Sequence, residues 1–209
     1  MRFSYVLILS TGLALSLLPA RAEEVLPHDA APSPQAAAET AEPLKSEPTA
    51  GERVDALFAE LRRERDPDKG RTIAGRIFSE MRESGSPTVN LLLKWADDAT
   101  REKRNAAALD FLDRATLLAP DSPGAWNRRA ALHYEMGNSR KSMSDISRVL
   151  SREPRHFGAL AAMARILEEN DEPAAALKAW ERYLEIYPAD RDAQKKAGDI
   201  SERLAGNRA

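Results

Sequence analysis

The stretch PGAWNRRAALHYEMGNSRKSMSDISRVLSREPRH, residues 123–156, contains two apolar patterns of helical period, a Gly137-Asn138 break between them and a proline, Pro154, two residues before its end. Read outward in both directions, the same pattern returns at a period of 34 residues, with Pro120 closing residues 89–122 and Pro188 closing residues 157–190. When each unit is numbered from 1 with its proline at 32, position 4 holds Leu92, Trp126 and Leu160, and position 24 holds Leu112, Ile146 and Trp180. Positions 8 and 20 are small throughout, as Ala96, Ala130 and Ala164 and then Ala108, Ser142 and Ala176. Position 27 carries Ala115, Val149 and Tyr183. Small residues facing each other let two antiparallel helices approach to about 8–10 Å, while the bulky positions fill the groove beside them. Proline then ends the second helix, because it has no N–H and its ring collides with the preceding turn. A period of this length describes stacked helix pairs, each burying its apolar face on the next.

The order of large, small and proline positions resembles the tetratricopeptide repeat family. The middle unit carries it as Trp126, Ala130, Ser142, Ile146, Val149 and Pro154, and the third as Leu160, Met163, Ala164, Leu167, Ala176, Trp180, Tyr183 and Pro188. In the first unit the matching residues are Leu92, Trp95, Ala96, Ala99, Ala108, Leu112, Ala115 and Pro120. The resemblance implies an all-α fold, a right-handed superhelix of antiparallel helix pairs, and a role as a scaffold for protein contacts. It also implies a concave groove lined by positions 2, 5, 9 and 12 of each first helix. The groove residues expected to touch a protein or peptide partner are then Asn90, Asp97, Asn127, Tyr134, Arg165 and Glu168. Members that grip a terminal carboxylate line this groove with basic and amide side chains. Asn127 and Arg165 suit that role, but Asp97 and Glu168 oppose an anion.

Composition bounds the rest. Of 209 residues, 43% are hydrophobic and 31% charged, which allows one ordinary domain plus tails. The absence of cysteine excludes disulfides, thiolate chemistry and cysteine-held metals. A formal net charge of -2 steers the chain toward neither nucleic acid nor an anionic membrane.

At the N-terminus, Arg2, an apolar run from Tyr5 to Leu18 and the small residues Ala20 and Ala22 read as a secretory signal peptide, residues 1–22, cut after Ala22. The run is short for a membrane span, which needs about 20 residues. A membrane contact follows only if the leader stays uncleaved, and the expected location is the periplasm or the exterior. Residues 23–51 are rich in proline, alanine and glutamate and read as a spacer without a core. Residues 52–88 form a divergent helix pair, with Val54, Leu57, Phe58 and Leu61 on one stripe and Ile73, Ile77, Phe78 and Met81 on the next. Its expected place is on top of the first unit, as an N-terminal capping layer. Residues 191–209 supply a capping helix and tail, with Ala193, Ala197, Ile200 and Leu204 on one side.

Catalytic signatures are missing. Ser139, Ser142 and Ser144 lie near Asp145 and follow His133, but no glycine-flanked serine elbow accompanies them, and no phosphate loop occurs. His28, His133 and His156 lack a second ligand at helical spacing, so neither a metal nor another cofactor is expected. Trp95, Trp126 and Trp180 occupy core positions. Arg129 and His133 stand where leucine and tyrosine are usual; four apart on one helix face, they mark either an adapted core or a polar notch between two layers. With the family resemblance, the expectation is a non-enzymatic, exported binding module that holds a protein or peptide partner in its groove. An envelope enzyme or its accessory subunit, and an assembly or secretion chaperone, are the alternatives.

Overall fold

The computed structural model describes residues 47–206; the expected leader, most of the expected spacer with His28, and the last three residues lie outside them. Among the described residues there are nine α-helices and no strand. Three hairpins, α3–α4 (Pro87–Arg101, Asn105–Leu118), α5–α6 (Pro123–Glu135, Ser139–Arg152) and α7–α8 (Phe157–Glu169, Pro173–Ile186), form layers 1 to 3. They stack in sequence, α4 on α5 and α6 on α7, and α9 (Arg191–Gly206) packs on α8 to close the end of the stack.

Each layer closes on its small residues. Ala96, Ala108, Ala130, Ser142, Ala164 and Ala176 are all buried, and Leu112, Ile146 and Leu160 fill the space beside them. The second helix ends the same way each time. Ala119, Glu153 and Tyr187 precede the three prolines with φ of -131°, -131° and -126°, outside the helical region that a following proline ring disfavours. The turn inside each hairpin also repeats: Lys103, Gly137 and Asp171, all at position 15, take left-handed φ values of 58°, 74° and 58°. In each turn the next amide bonds back five residues, as Arg104 N–H to the Ala99 carbonyl at 2.8 Å, which satisfies the helix C-terminus.

The first hairpin, α1 (Ala50–Arg63) and α2 (Pro67–Arg82), starts on a Thr49 capping box with Glu52, so helix begins inside the expected spacer. Asp66 caps α2 ahead of Pro67. This hairpin does not cap layer 1. Leu57, Phe58, Leu61, Ile73, Ala74 and Ile77 join one apolar cluster with Phe157, Leu160, Trp180, Tyr183 and Tyr187 of layer 3. The expectation of an N-terminal capping layer is therefore corrected: the chain turns at Gly85 (φ 75°) and the hairpin folds back along the array.

That placement explains two glycines. Gly124 and Gly158 share position 2 of successive layers; a Cβ on Gly124 would lie 2.7 Å from the Met81 carbonyl oxygen, and one on Gly158 would lie 3.0 Å from the Phe78 ring. Phe78, expected on a buried stripe, remains 37% exposed while its ring packs T-shaped against Phe157 and His156. The bare end of the stack corrects another expectation. Trp95 is 43% exposed, leaning on Phe111 at 5.6 Å, because its position faces a preceding layer and layer 1 has none. Trp180 is buried and Trp126 partly so.

Two outcomes follow from this packing. Gly124→Ala forces backbone apart and costs about 1–3 kcal/mol in urea unfolding. By contrast, Gly75→Ala, where nothing lies within 4 Å of the added Cβ, stabilises α2 by about 1 kcal/mol. The second outcome concerns His156, which is buried against Phe78 and accepts the Ala159 N–H at Nδ1 over 3.0 Å to cap α7. Desolvation holds its pKa down at about 4. An unfolded histidine takes its proton near pH ~6.5, so between there and pH ~4 the unfolded chain binds more protons, and acidification removes about 3 kcal/mol of stability. Urea midpoints measured from pH 7 to 4 report this loss, and His156→Asn, which keeps an oxygen for the cap, flattens it.

Candidate functional site

The wall formed by α3, α5 and α7 is the surface on which the expected groove residues stand. α2 crosses its near side. From Gly70, whose Cβ would meet the Tyr187 ring at 2.8 Å, it passes over Gly158 and Gly124 and leads into Glu83 and Ser84, which bond to Asn90 of α3. All three position 2 residues are thus covered by this chain. Asn90 accepts from the Ser84 N–H at 2.9 Å and hydroxyl at 2.7 Å and donates to Glu83, so it anchors the α2–α3 connection instead of lining open groove.

Asp97 sits between two guanidinium groups, Arg82 at 3.0 Å and Arg128 at 3.1 Å. Arg128 also donates to the Gly124 carbonyl at 3.2 Å. Burial pulls its pKa below the usual guanidinium range, against the opposing pull of Asp97. Arg128 was not among the expected site residues; at position 6 it lies one residue past the lining position, and its role comes from the bond it makes across to Asp97 of α3. Beside this triad, a cleft of about 390 Å³ opens between α3 and α5, bounded by Thr100, Ala131 and Glu135.

Farther along the wall, Tyr134 of layer 2 donates its hydroxyl to Glu169 of layer 3, which raises its pKa. Arg165 lies 5.9 Å from the Tyr134 ring centroid. These three side chains bridge two layers on the uncovered half of the wall. Glu168 turns away from them and accepts the Trp180 indole N–H at 2.8 Å. Asn127 is half-buried on the same helix as Tyr134. The structure thus brings together Tyr134 and Arg165 with Glu169, and it separates Asn90 and Glu168 from them by committing both to local bonds.

The notch residues meet elsewhere. Arg129 clasps Asp145 through Nε at 2.8 Å and Nη2 at 2.7 Å. Its Nη1 reaches across to layer 1, to Asp113 at 2.8 Å and the Thr116 hydroxyl at 3.0 Å. The same guanidinium lies 4.7 Å from the Trp126 ring centroid. Pairing with Asp145 raises its pKa. His133 is buried beside it with Nδ1 unpartnered, and desolvation lowers its pKa. A shallow cleft of about 310 Å³, with Lys141 and Ser144 at its edge, opens over the group. Arg129 pairs with both carboxylates, the buried Asp145 and the exposed Asp113, which makes this a polar clasp between layers.

Among the described residues no group of three or more histidine, aspartate or glutamate side chains converges to hold a metal ion, and no helix is long and apolar enough to cross a membrane.

Hairpins of fixed length, closed on small residues and stacked in one direction, define an all-helical solenoid. Comparison with known proteins names it. A family model described as tetratricopeptide repeat matches residues 157–200. A TPR repeat-containing protein of Rhizobium etli is 59% identical over 157 residues, which cover 75% of this chain and 77% of that protein. The chain belongs to the tetratricopeptide repeat family. Solved structures share the fold at low identity. The first TPR domain of Spaghetti bound to an HSP90 peptide aligns with a TM-score of 0.54 at 19% identity, covering 57% of this chain and 95% of that one. The Sgt2 TPR domain of Aspergillus fumigatus gives 0.53 at 19%, covering 59% and 84%, and MamA gives 0.53 at 18%, covering 66% and 84%.

Arg129→Leu leaves Asp145, whose side chain is 5% exposed, buried without its partner, and costs about 3–5 kcal/mol in urea unfolding. Replacing Asp145 by leucine as well recovers most of that loss, because neither charge is then stranded; the double-mutant cycle measures the coupling.

Proposed function

We propose that this chain is an exported, non-enzymatic scaffold that holds a segment of a protein partner against the uncovered half of the wall of α3, α5 and α7. The observation that carries the reading is the cross-layer group of Tyr134, Arg165 and Glu169, set on one continuous wall with the cleft beside Thr100 and Ala131. An aromatic ring hydrogen-bonded to a carboxylate, with a guanidinium over the ring and small Ala131 leaving room, suits side chains and main chain of a bound peptide. Support also comes from a neighbour of the same fold that is bound to a peptide. Export rests on the leader: Arg2, the apolar run to Leu18 and the Ala20–Ala22 site.

The experiment is site-specific photo-crosslinking in the envelope of the producing cell, with the crosslinker at Ala131 or Arg165 and a control at Leu117, which is 79% exposed on α4. The expected outcome is one stoichiometric partner captured from the two wall positions and not from Leu117, with Tyr134→Ala reducing the yield several-fold. A broad set of clients from the wall positions favours a chaperone and overturns the scaffold reading. Mass determination of the exported protein is expected to find Glu23 at its N-terminus.

A further inference from the structure

The α1–α2 hairpin lies across the wall of α3, α5 and α7. α2 turns one buried face, Gly70, Ile73, Ala74 and Ile77, toward the array, and Gly124 and Gly158 provide the space that its last turns require. Two neighbouring layers without a side chain at the same position form a track for a crossing helix, and a Cβ at either site would close it. α1 adds Leu57, Phe58 and Leu61 to the same cluster, so the hairpin is seated as one unit.

Several features make that unit separable. The apolar clusters of layers 1 and 2 contain no hairpin residue, so these layers hold without it. Ion pairs between the hairpin and the array, Arg82 with Asp97 and Asp55 with Arg155, are half or more exposed on the hairpin side, where pairing stabilises little. The connection to α3 is only Glu83 to Ser86, bonded to Asn90 and not to layers 2 or 3. Departure into water is nevertheless opposed, since Phe157, Tyr183 and Tyr187 would lose their cover. The hairpin can therefore be exchanged for another apolar helix far more readily than it can simply open.

We infer that α1–α2 is a resident ligand of the wall, and that the surface beneath it is a receptor for an amphipathic helix of a protein partner. Such a helix needs a small residue over Tyr187, β-branched residues at the spacing of Ile73 and Ile77, and an aromatic ring over Gly158, one residue past the last of them. The inference rests on the reading of this wall as the partner-binding face, and it adds a competition for its covered half: a partner already held on the open half gains this second site only as the hairpin yields it.

The test uses the full chain and a labelled peptide spanning residues 47–83, with a peptide of the same composition in permuted order as control. Wild-type protein, whose wall is occupied, is expected to bind the peptide weakly. The Ile73→Asp/Ile77→Asp variant, whose own hairpin cannot seat, is expected to bind it roughly 10- to 1,000-fold more tightly, since an open minor state populated at roughly 0.1–10% lowers apparent affinity by that factor. Adding Gly124→Val and Gly158→Val to the variant is expected to abolish binding. A folded, monomeric variant that ignores the peptide, or binds the permuted control equally, overturns the inference. Hydrogen exchange on the unmodified chain decides the matter if the variant does not fold. Amides of α1 and α2 opening together, before those of α5 to α8, support exchange, and their opening only with global unfolding overturns it. Continued capture from Ala131 and Arg165 alongside a failed peptide experiment removes the resident ligand and leaves the scaffold.

Discussion

Every layer depends on one steric condition, that positions 8 and 20 carry side chains no larger than a methyl or a hydroxymethyl. Ala96 faces Ala108, Ala130 faces Ser142 and Ala164 faces Ala176, and all six are buried. At that separation the bulky residues at 4 and 24 reach across the groove, and the pair buries a face neither helix could bury alone. Stacking then follows from positions 3 and 10, where Ala125 and Leu132 enter the apolar cluster of layer 1 and Ala159 and Ile166 that of layer 2. Leu91 and Asp98 are their counterparts in layer 1. Leu91 is 44% exposed and Asp98 holds Lys94, so this end of the stack meets solvent half-adapted, with charge at one position and apolar surface at another.

The first hairpin satisfies a different demand. Layer 3 carries more aromatic surface than α9 covers, in Phe157, Tyr183 and Tyr187, and α1–α2 completes that cluster. Phe157 alone meets Phe58, Phe78, Tyr183 and Tyr187 edge-on at 4.7–6.4 Å. Aromatic edge-to-face packing of this kind is directional, and it gives the hairpin a defined seat on repeat surfaces otherwise built for one another. The wall is thereby divided into a half occupied by the chain's own helix and a half left open around Tyr134 and Arg165.

Among the described ion pairs, the most deeply buried is that of Arg129 with Asp145. Arg129 takes the position of an apolar residue, yet its guanidinium joins Asp145, Asp113 and Thr116 across two layers and stacks on Trp126. A buried arginine is tolerable when its donors are met, and here they are met by residues 13 to 16 positions away on neighbouring helices. The pattern break at Arg129 and His133 was visible in the sequence. Its partners were not, because Asp113 and Asp145 look like ordinary solvated acids until the helices are assembled.

Period, helix pairing, proline stops and the small-residue contacts were all legible in the amino-acid order, because each depends on residues within a single 34-residue unit and on local sterics. Candidate wall positions were legible in part: Arg165 stands exposed and Tyr134 bridges to Glu169 on the uncovered half, whereas Asn90 and Glu168 are spent on bonds to Ser84 and Trp180. Shared left-handed turns at Lys103 and Asp171 were hidden, since only Gly137 advertises that conformation. By itself the sequence determined an all-helical repeat array with a capped C-terminal end. Only the tertiary structure decided where the first hairpin goes, because its apolar stripe would suit any neighbouring surface. The choice between the bare face of layer 1 and the aromatic cluster of layer 3 is made by contacts more than 70 residues apart, from Phe78 to Phe157.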